Sequence, residues 1–264
     1  MRALLLNVFK GRHILKTMVI KDIKARYTGS LFGPLWMIAT PLYQMLLYTF
    51  LFSVILKVRF DTGAGTSSFV VYLLAGLIPW IFFSEATLRG ASVFIDNAHI
   101  IKKVKFPLEV CVASVILSSM STFFIYLFFY LAALIFFGLL QFHTAPLIIF
   151  PLIIQVLLIF GLSFGLGSIA VFFRDINQAI GMILNILFFL MPIVYPSTAI
   201  PQGLRWIFDI NPFYFIVEMY RSFLIQGKIP GMFPVLYPLI FSLCIFFAGY
   251  YIFHKTRDAF KDVL

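Results

Sequence analysis

The sequence predicts an all-α integral membrane fold: six spans, an amino-terminal interfacial helix, and short re-entrant helices between spans five and six. Three observations carry this. Hydrophobic residues make up 62% of the chain and charged ones 11%, against about 45–50% and about 25% in soluble domains. Mean hydropathy is +1.04. Between Val110 and Phe173 there is no Asp, Glu, Lys or Arg. A charge at the bilayer centre costs about 2.5–3.5 kcal/mol, while each Leu, Ile or Phe contributes about −0.3 to −0.6 kcal/mol. That stretch is too long for one crossing, because about 20 residues already span the ~30 Å hydrocarbon layer. It breaks at Gly138-Leu139-Leu140-Gln141-Phe142-His143-Thr144-Ala145-Pro146, where turn residues gather. Two helices, 110–137 and 147–172, joined by a tight hairpin, follow from it.

Residues 1–33 carry Arg2, Lys10, Arg12, Lys16, Lys21, Lys24 and Arg26. Leu15, Val19, Ile23 and Tyr27 recur at every fourth position, as in a helix lying in the membrane surface. Asp22 and Arg26 form an i,i+4 pair that supports it. Gly33-Pro34 opens the first span, 34–56, in which Pro41 should introduce a bend. Lys57, Arg59 and Asp61 mark an exterior loop before the second span, 69–93. Near its end Glu85 and Arg89 stand one turn apart and are expected to form a structural ion pair rather than a proton relay. The polar stretch 96–106 is an internal loop with Ile100, Ile101 and Val104 at helical spacing, so a short helix is expected there. Phe173-Arg174-Asp175-Ile176 is the next internal break, and the fifth span runs over 176–195.

Two apolar pieces follow, 197–209 and 212–225, both too short to span and suited to re-entrant or interfacial helices. Asn211 is placed to cap the second, with Pro212 at its first position and Gly227 as its stop. Glu218 can pair with Arg221 or Arg205. The last span is 231–254. Counting Lys and Arg, an internal amino terminus puts about 14 on the cytoplasmic side and about five outside. Both termini are therefore expected in the cytoplasm, and residues 1–264 form one membrane domain.

Much chemistry is excluded. The pattern GxxxxGK[ST] does not occur; Gly227-Lys228 is followed by Ile229 and lacks the upstream Gly. Neither HExxH nor GxSxG is present, His13, His99, His143 and His254 are scattered, and Cys111 and Cys244 lie in apolar runs without CxxC spacing. No metal site and no catalytic residues are expected. The net charge of +10 speaks of orientation and anionic lipid, not of nucleic acid. Gly161 and Gly165 form a GxxxG, which predicts close helix packing within or between chains. A secondary transporter, which would show an internal repeat and a buried ion site, does not fit. Aromatic residues reach 19%, and rings such as those of Tyr43, Tyr48, Trp80, Tyr126, Tyr195, Trp206, Tyr214 and Tyr220 could stack on sugar faces or sit in interfacial belts.

Lys21-Asp22-Ile23-Lys24-Ala25-Arg26-Tyr27 followed by Leu31-Phe32-Gly33-Pro34-Leu35-Trp36 resembles the amino-terminal signature of type-2 ABC exporter permeases. Gly76-Leu77-Ile78-Pro79-Trp80, the stretch from Asn97 to Pro107, and Phe173-Arg174-Asp175-Ile176 extend the resemblance over essentially the whole chain. The branch it is most similar to exports O-antigen, capsular polysaccharide or teichoic-acid polymers. The resemblance implies a homodimer in the bacterial cytoplasmic (inner) membrane, with two copies of a separate cytoplasmic ABC ATPase subunit. ATP and Mg would be bound on that partner and no cofactor on this chain. It implies ATPase-coupling contacts at Asn97, His99, Ile100, Ile101, Lys102, Arg174 and Asp175. The interfacial helix beside a lateral gate would bear Lys21, Asp22, Arg26 and Tyr27, and the exterior gate Trp206, Asn211, Pro212 and Tyr214. Trp36, Tyr43, Tyr48 and Tyr195 are the candidate channel aromatics for a lipid-linked glycan. An exporter of a small amphiphile or drug, and a scaffold anchoring a membrane complex, are the rival expectations.

Overall fold

A computed structural model describes residues 7–26, 29, 32–55, 69–103, 106–197 and 200–264, and all the regular structure in them is helical. Helix α1 (Arg12–Ala25) is followed by a 3-10 turn at Gly33–Leu35 and α2 (Trp36–Thr49), which widens into a π-helical turn at Phe50–Ile55. Pro41 lies inside α2, where its missing N–H leaves the Met37 carbonyl without the usual partner. Helix α3 (Phe69–Asp96) has 28 residues, about 42 Å at about 1.5 Å per residue. It outruns the bilayer core and leads through Asn97 alone into α4 (Ala98–Lys103).

Helices α5 (Glu109–Phe136) and α6 (Ile149–Phe172) are the expected hairpin, with Gly138 at φ 67 starting the turn and a 3-10 turn, Ala145–Ile148, ending it. Helix α7 (Ile176–Leu190) has 15 residues and stops five short of the expected end. The reason is local. Pro192 disfavours helical backbone at Met191, which is extended (φ −99, ψ 142). Beyond it, the described residues of 197–209 include a 3-10 turn, Gln202–Leu204, and the five residues of α8 (Arg205–Asp209). Helix α9 (Pro212–Arg221) continues as a π-helical turn, Ser222–Gln226, which Gly227 closes at φ 65. Helix α10 (Met232–Thr256), a 3-10 turn and α11 (Phe260–Val263) complete the chain.

Among the described residues, four runs are long and apolar enough to cross a bilayer: Phe69–Lys103, Glu109–Phe136, Ala145–Phe172 and Met232–Ala259. The protein is a multi-pass membrane protein. Its core is the packing of α6 against α3 and α10. Without a hydrophobic drive between helices in lipid, small residues let backbones approach and gain dispersion contact. A Cβ on Gly249 would stand 2.0 Å from the Gly161 carbonyl oxygen, and one on Gly161 would meet the Ile245 carbonyl carbon at 2.6 Å. The GxxxG therefore joins α6 to α10 within one chain.

Helices α2 and α7 are different. Tyr43 and Leu46 on α2 with Phe50 in the π-helical turn after it, and Met182, Ile183, Ile186 and Phe189 on α7, leave apolar faces open. Helix α9 lies between α3 and α10, with Phe213, Ile216, Val217, Met219 and Tyr220 buried.

Candidate functional site

Two polar constellations lie at opposite ends of the bundle. The first ties α1 to α3 and α5. Asp22 and Arg26 share one face of α1, being one turn apart, and Glu85 and Arg89 do the same on α3. Placed together they alternate in sign. Arg26 contacts Glu85 at 2.5 Å and Arg89 contacts Asp22 at 2.5 Å, while the pairs within each helix are longer, 3.8 and 3.5 Å. Helix α5 supplies hydroxyls: Arg26 donates to Thr122 (3.1 Å) and Ser118 (3.3 Å), Arg89 to Ser119 (3.3 Å), Ser119 to Glu85 (3.0 Å), and Ser118 to Asp22.

Each carboxylate thus meets two guanidinium groups, and the charges sum to zero. Burial pushes the Asp22 carboxyl up, but hydrogen bonds from Ser118 and Arg89 and the charges of Arg89 and Arg26 together hold it below its ordinary 3.8. The expected Asp22–Arg26 and Glu85–Arg89 pairs are present. The cross-links between them are what local spacing does not reveal.

Ahead of α1, Asn7 donates to Glu109 at the start of α5 (3.0 Å). Between these two fixings a cavity of about 220 Å³ opens, lined among others by Met18, Lys21 and Asp22 of α1, Arg89 and Asp96 of α3, and His99 and Ile100 of α4. Helix α4 is set by Asn97, whose side chain donates to the Val93 carbonyl (2.8 Å) while its own carbonyl accepts from Ile100 and Ile101 (3.0 Å each). Ile101 turns inward and is buried; His99, Lys102 and Lys103 face outward, and Ile100 lies between. Arg174 and Asp175, in the turn between α6 and α7, are exposed. Lys21 is exposed beside the cavity, and Tyr27 and Val104 fall outside the described residues.

The second constellation surrounds Arg221, which is completely buried at the end of α9. It donates to Glu218 (2.7 Å), to the Tyr72 hydroxyl (2.8 Å) and to the Tyr72 carbonyl (3.3 Å), and its guanidinium carbon lies 3.5 Å from the centre of the Tyr72 ring. The Tyr72 hydroxyl also accepts from the Ser197 N–H (3.3 Å). Tyr72 of α3 therefore contacts both Ser197, before α8, and the end of α9. Gly76 makes room for this, since a Cβ there would stand 2.8 Å from Arg221 Nη2.

The α5–α6 hairpin adds further ties, Thr144 to the Phe223 carbonyl (2.6 Å) and the Gln141 N–H to the Leu224 carbonyl (3.2 Å). Of the two partners expected for Glu218, the structure pairs it with Arg221. Sequence spacing contained no sign of Tyr72 or Gly76 as its surroundings.

The remaining expected residues fall on or near these elements. Asn211 caps α9, accepting from the Phe213 N–H at 3.0 Å, with Pro212 at its first turn. Trp206 is exposed on α8, and the half-buried Tyr214 packs against Phe215. Trp36 and Tyr43 are exposed on α2, whereas Tyr48 is half-buried. Tyr195, also half-buried, donates to the Phe189 carbonyl at 3.1 Å. Among the described residues no group of His, Cys, Asp and Glu could hold a metal ion.

Comparison with known proteins gives the pattern a wider setting. A family model described as ABC-2 type transporter matches residues 13–225. Over 260 residues, 97% of each chain, the protein is 29% identical to an O-antigen export system permease protein, RfbA, of Myxococcus xanthus. A protein with the same name in Klebsiella pneumoniae is 31% identical over 247 residues, 92% of each chain. The polysialic acid transport protein KpsM of Escherichia coli is 24% identical over 251 residues, 92% of this chain and 93% of that one.

Proposed function

The chain belongs to the ABC-2 type transporter family, and on that premise we propose that it is the membrane-embedded permease subunit of an ATP-driven exporter of lipid-linked polysaccharide. The observation that carries this is likeness over nearly the full length of both chains to permeases named for O-antigen export. We read the chain as a six-span subunit of the bacterial cytoplasmic membrane. In that reading α2 and α7 complete the four runs long enough to cross, and α8 and α9 are non-spanning helices on the outer side. The excess of Lys and Arg in residues 7–26, in 96–103 and after α10 supports an arrangement with both ends in the cytoplasm.

Two copies would pair through the open faces of α2 and α7, and each would bind one ABC ATPase subunit. His99 and Lys102 of α4, with Arg174 and Asp175, present exposed polar groups to that partner. Asn97, Ile100 and Ile101 set α4 in place behind them. ATP binding draws the ATPase subunits together, and α4 passes the displacement to α3 and, through the Asp22–Arg26–Glu85–Arg89 set, to α1. Movement of α1 opens a way for the glycan from the cytoplasmic leaflet. Trp36 and Tyr43 offer rings that can stack on successive sugars without holding any one tightly. On the outer side Arg221 and Tyr72 hold α9 fixed, which leaves α8, with Trp206, as the part free to move.

Disruption of the gene tests this reading. Surface polysaccharide should be lost and its lipid-linked form should accumulate inside, with both restored by the intact gene. Normal surface glycan, together with a new sensitivity to small amphiphiles, would contradict it.

A further inference from the structure

The segment after α10 returns to the bundle. From Thr256 a 3-10 turn, Arg257–Ala259, leads into α11, whose first residue, Phe260, is completely buried. Its ring lies 4.9 Å from that of Phe94, 6.2 Å from Phe253 and 6.4 Å from Phe172. Phe94 in turn stacks on Phe253 at 5.5 Å with the planes 12° apart. It is also walled in by α6, where a Cβ on Gly167 would come within 3.3 Å of its ring.

The positions of these contacts matter. Phe94 lies on the last turn of α3, three residues before Asn97, which sets α4. Phe172 is the last residue of α6, directly before the turn that holds Arg174 and Asp175. One ring from the far end of the chain therefore touches both helix ends from which the exposed polar turns project.

We propose that Phe260 is a positioning residue that keys the α3–α4 corner to the α6–α7 turn, so that the two turns move as one body. Close-packed interiors have low compressibility and pass displacement on, whereas a void in place of the ring would let each helix end shift alone. The inference rests on reading those turns as the ATPase contacts. It adds that the spacing between them is set by the carboxyl-terminal segment rather than by either loop.

Spin labels test it in the full-length chain in lipid nanodiscs. Lys103→Cys on α4 and Gln178→Cys on α7, both at exposed positions, are introduced with Cys111→Ser and Cys244→Ser. Labelled subunits are diluted with unlabelled ones so that distances within one subunit are read. With Phe260 present a single narrow distance is expected. In Phe260→Ala it should broaden severalfold, and with the ATPase bound, polymer exported per ATP should fall severalfold while hydrolysis continues. Phe260→Tyr should restore both. Should the alanine variant fail to fold, Phe260→Leu serves with the same readouts.

An unchanged distance in a folded variant overturns the proposal. So does a broadened distance with export per ATP unchanged, since the turns would then act independently. If the wild-type chain binds no ATPase, the functional reading has failed, and the distance measured without the ATPase still decides whether Phe260 fixes the spacing.

Discussion

Removing one member of the Asp22–Arg26–Glu85–Arg89 set leaves three charges and an odd sign about a quarter exposed. The cost should fall between the about 0–1 kcal/mol of an exposed pair and the about 3–5 kcal/mol of breaking a buried one. Arg89→Ala should therefore lower the unfolding midpoint measurably. Reversing both members of one of the two closest pairs, Arg26→Glu with Glu85→Arg, should recover part of what either single reversal loses.

Because the folded-state pKa of Asp22 is depressed, its contribution is fully present above the ordinary value of about 3.8 and is lost as pH falls below that through the folded value. Protease protection of α1 should then be flat from neutral pH to about pH 5 and fail only in stronger acid. Gly76 and Gly181 make a paired test at the other end. A Cβ at Gly76 meets Arg221, while at Gly181 it meets nothing within 4 Å. Gly76→Ala should cost about 1–3 kcal/mol and Gly181→Ala little or nothing, compared by thermal unfolding in detergent.

The pairs within each helix were legible because an i,i+4 spacing is local. The bond from Arg89 to Asp22 joins positions 67 apart, and only the packing of α1 across α3 and α5 creates it. Arg221 was legible as a partner for Glu218, but its complete burial over Tyr72 was not, because no local pattern says which side of a short amphipathic helix faces the core.

Among the helices, α5 and α6 could be read to within two residues, because a charge-free run interrupted by Gly, Gln, His, Thr and Pro leaves one place to turn. Helix α7 ends sooner than its hydropathy predicts. Its apolar run continues through Val194, but Pro192 ends the helix regardless of hydropathy. The piece expected over 197–209 shrinks for a related reason. Among the described residues Pro201 and Gly203 leave α8 as the one α-helix there, and at five residues it is too short to be stable on its own.

Helix α9 matched because its start carries a capping signal. Asn211→Ala should cost about 0.5–2 kcal/mol, and hydrogen exchange should show it as faster exchange at Phe213 with α10 unaffected. At α4, His99→Glu with Lys102→Glu inverts the outward charge while Ile101 stays buried. The variant should still reach the membrane but lose co-purification with the ATPase. Unchanged co-purification would mean that the outward face of α4 is not the contact.

The molecule as a whole divides into a tightly packed part and an open one. Helices α3, α6 and α10 share glycine contacts and α5 joins them through buried aromatics, whereas α2 and α7 leave large apolar side chains exposed. We propose that a second copy of the chain covers these faces. Composition already indicated a membrane protein, and order along the chain indicated which residues stand at the helix ends. Composition could not indicate that the apolar residues of α3 turn inward while those of α2 and α7 turn outward, since both read as greasy.

We propose that this chain is a passage for polymer whose energy comes from another subunit. Reconstitution tests it most directly: vesicles containing the permease with its ATPase, lipid-linked glycan on the ATPase side, and a glycan-digesting enzyme on the same side added after ATP. Glycan should become protected from digestion only when both subunits and hydrolysable ATP are present. Protection without the ATPase, or none with the complete system while ATP is consumed and glycan stays accessible, would contradict the claim.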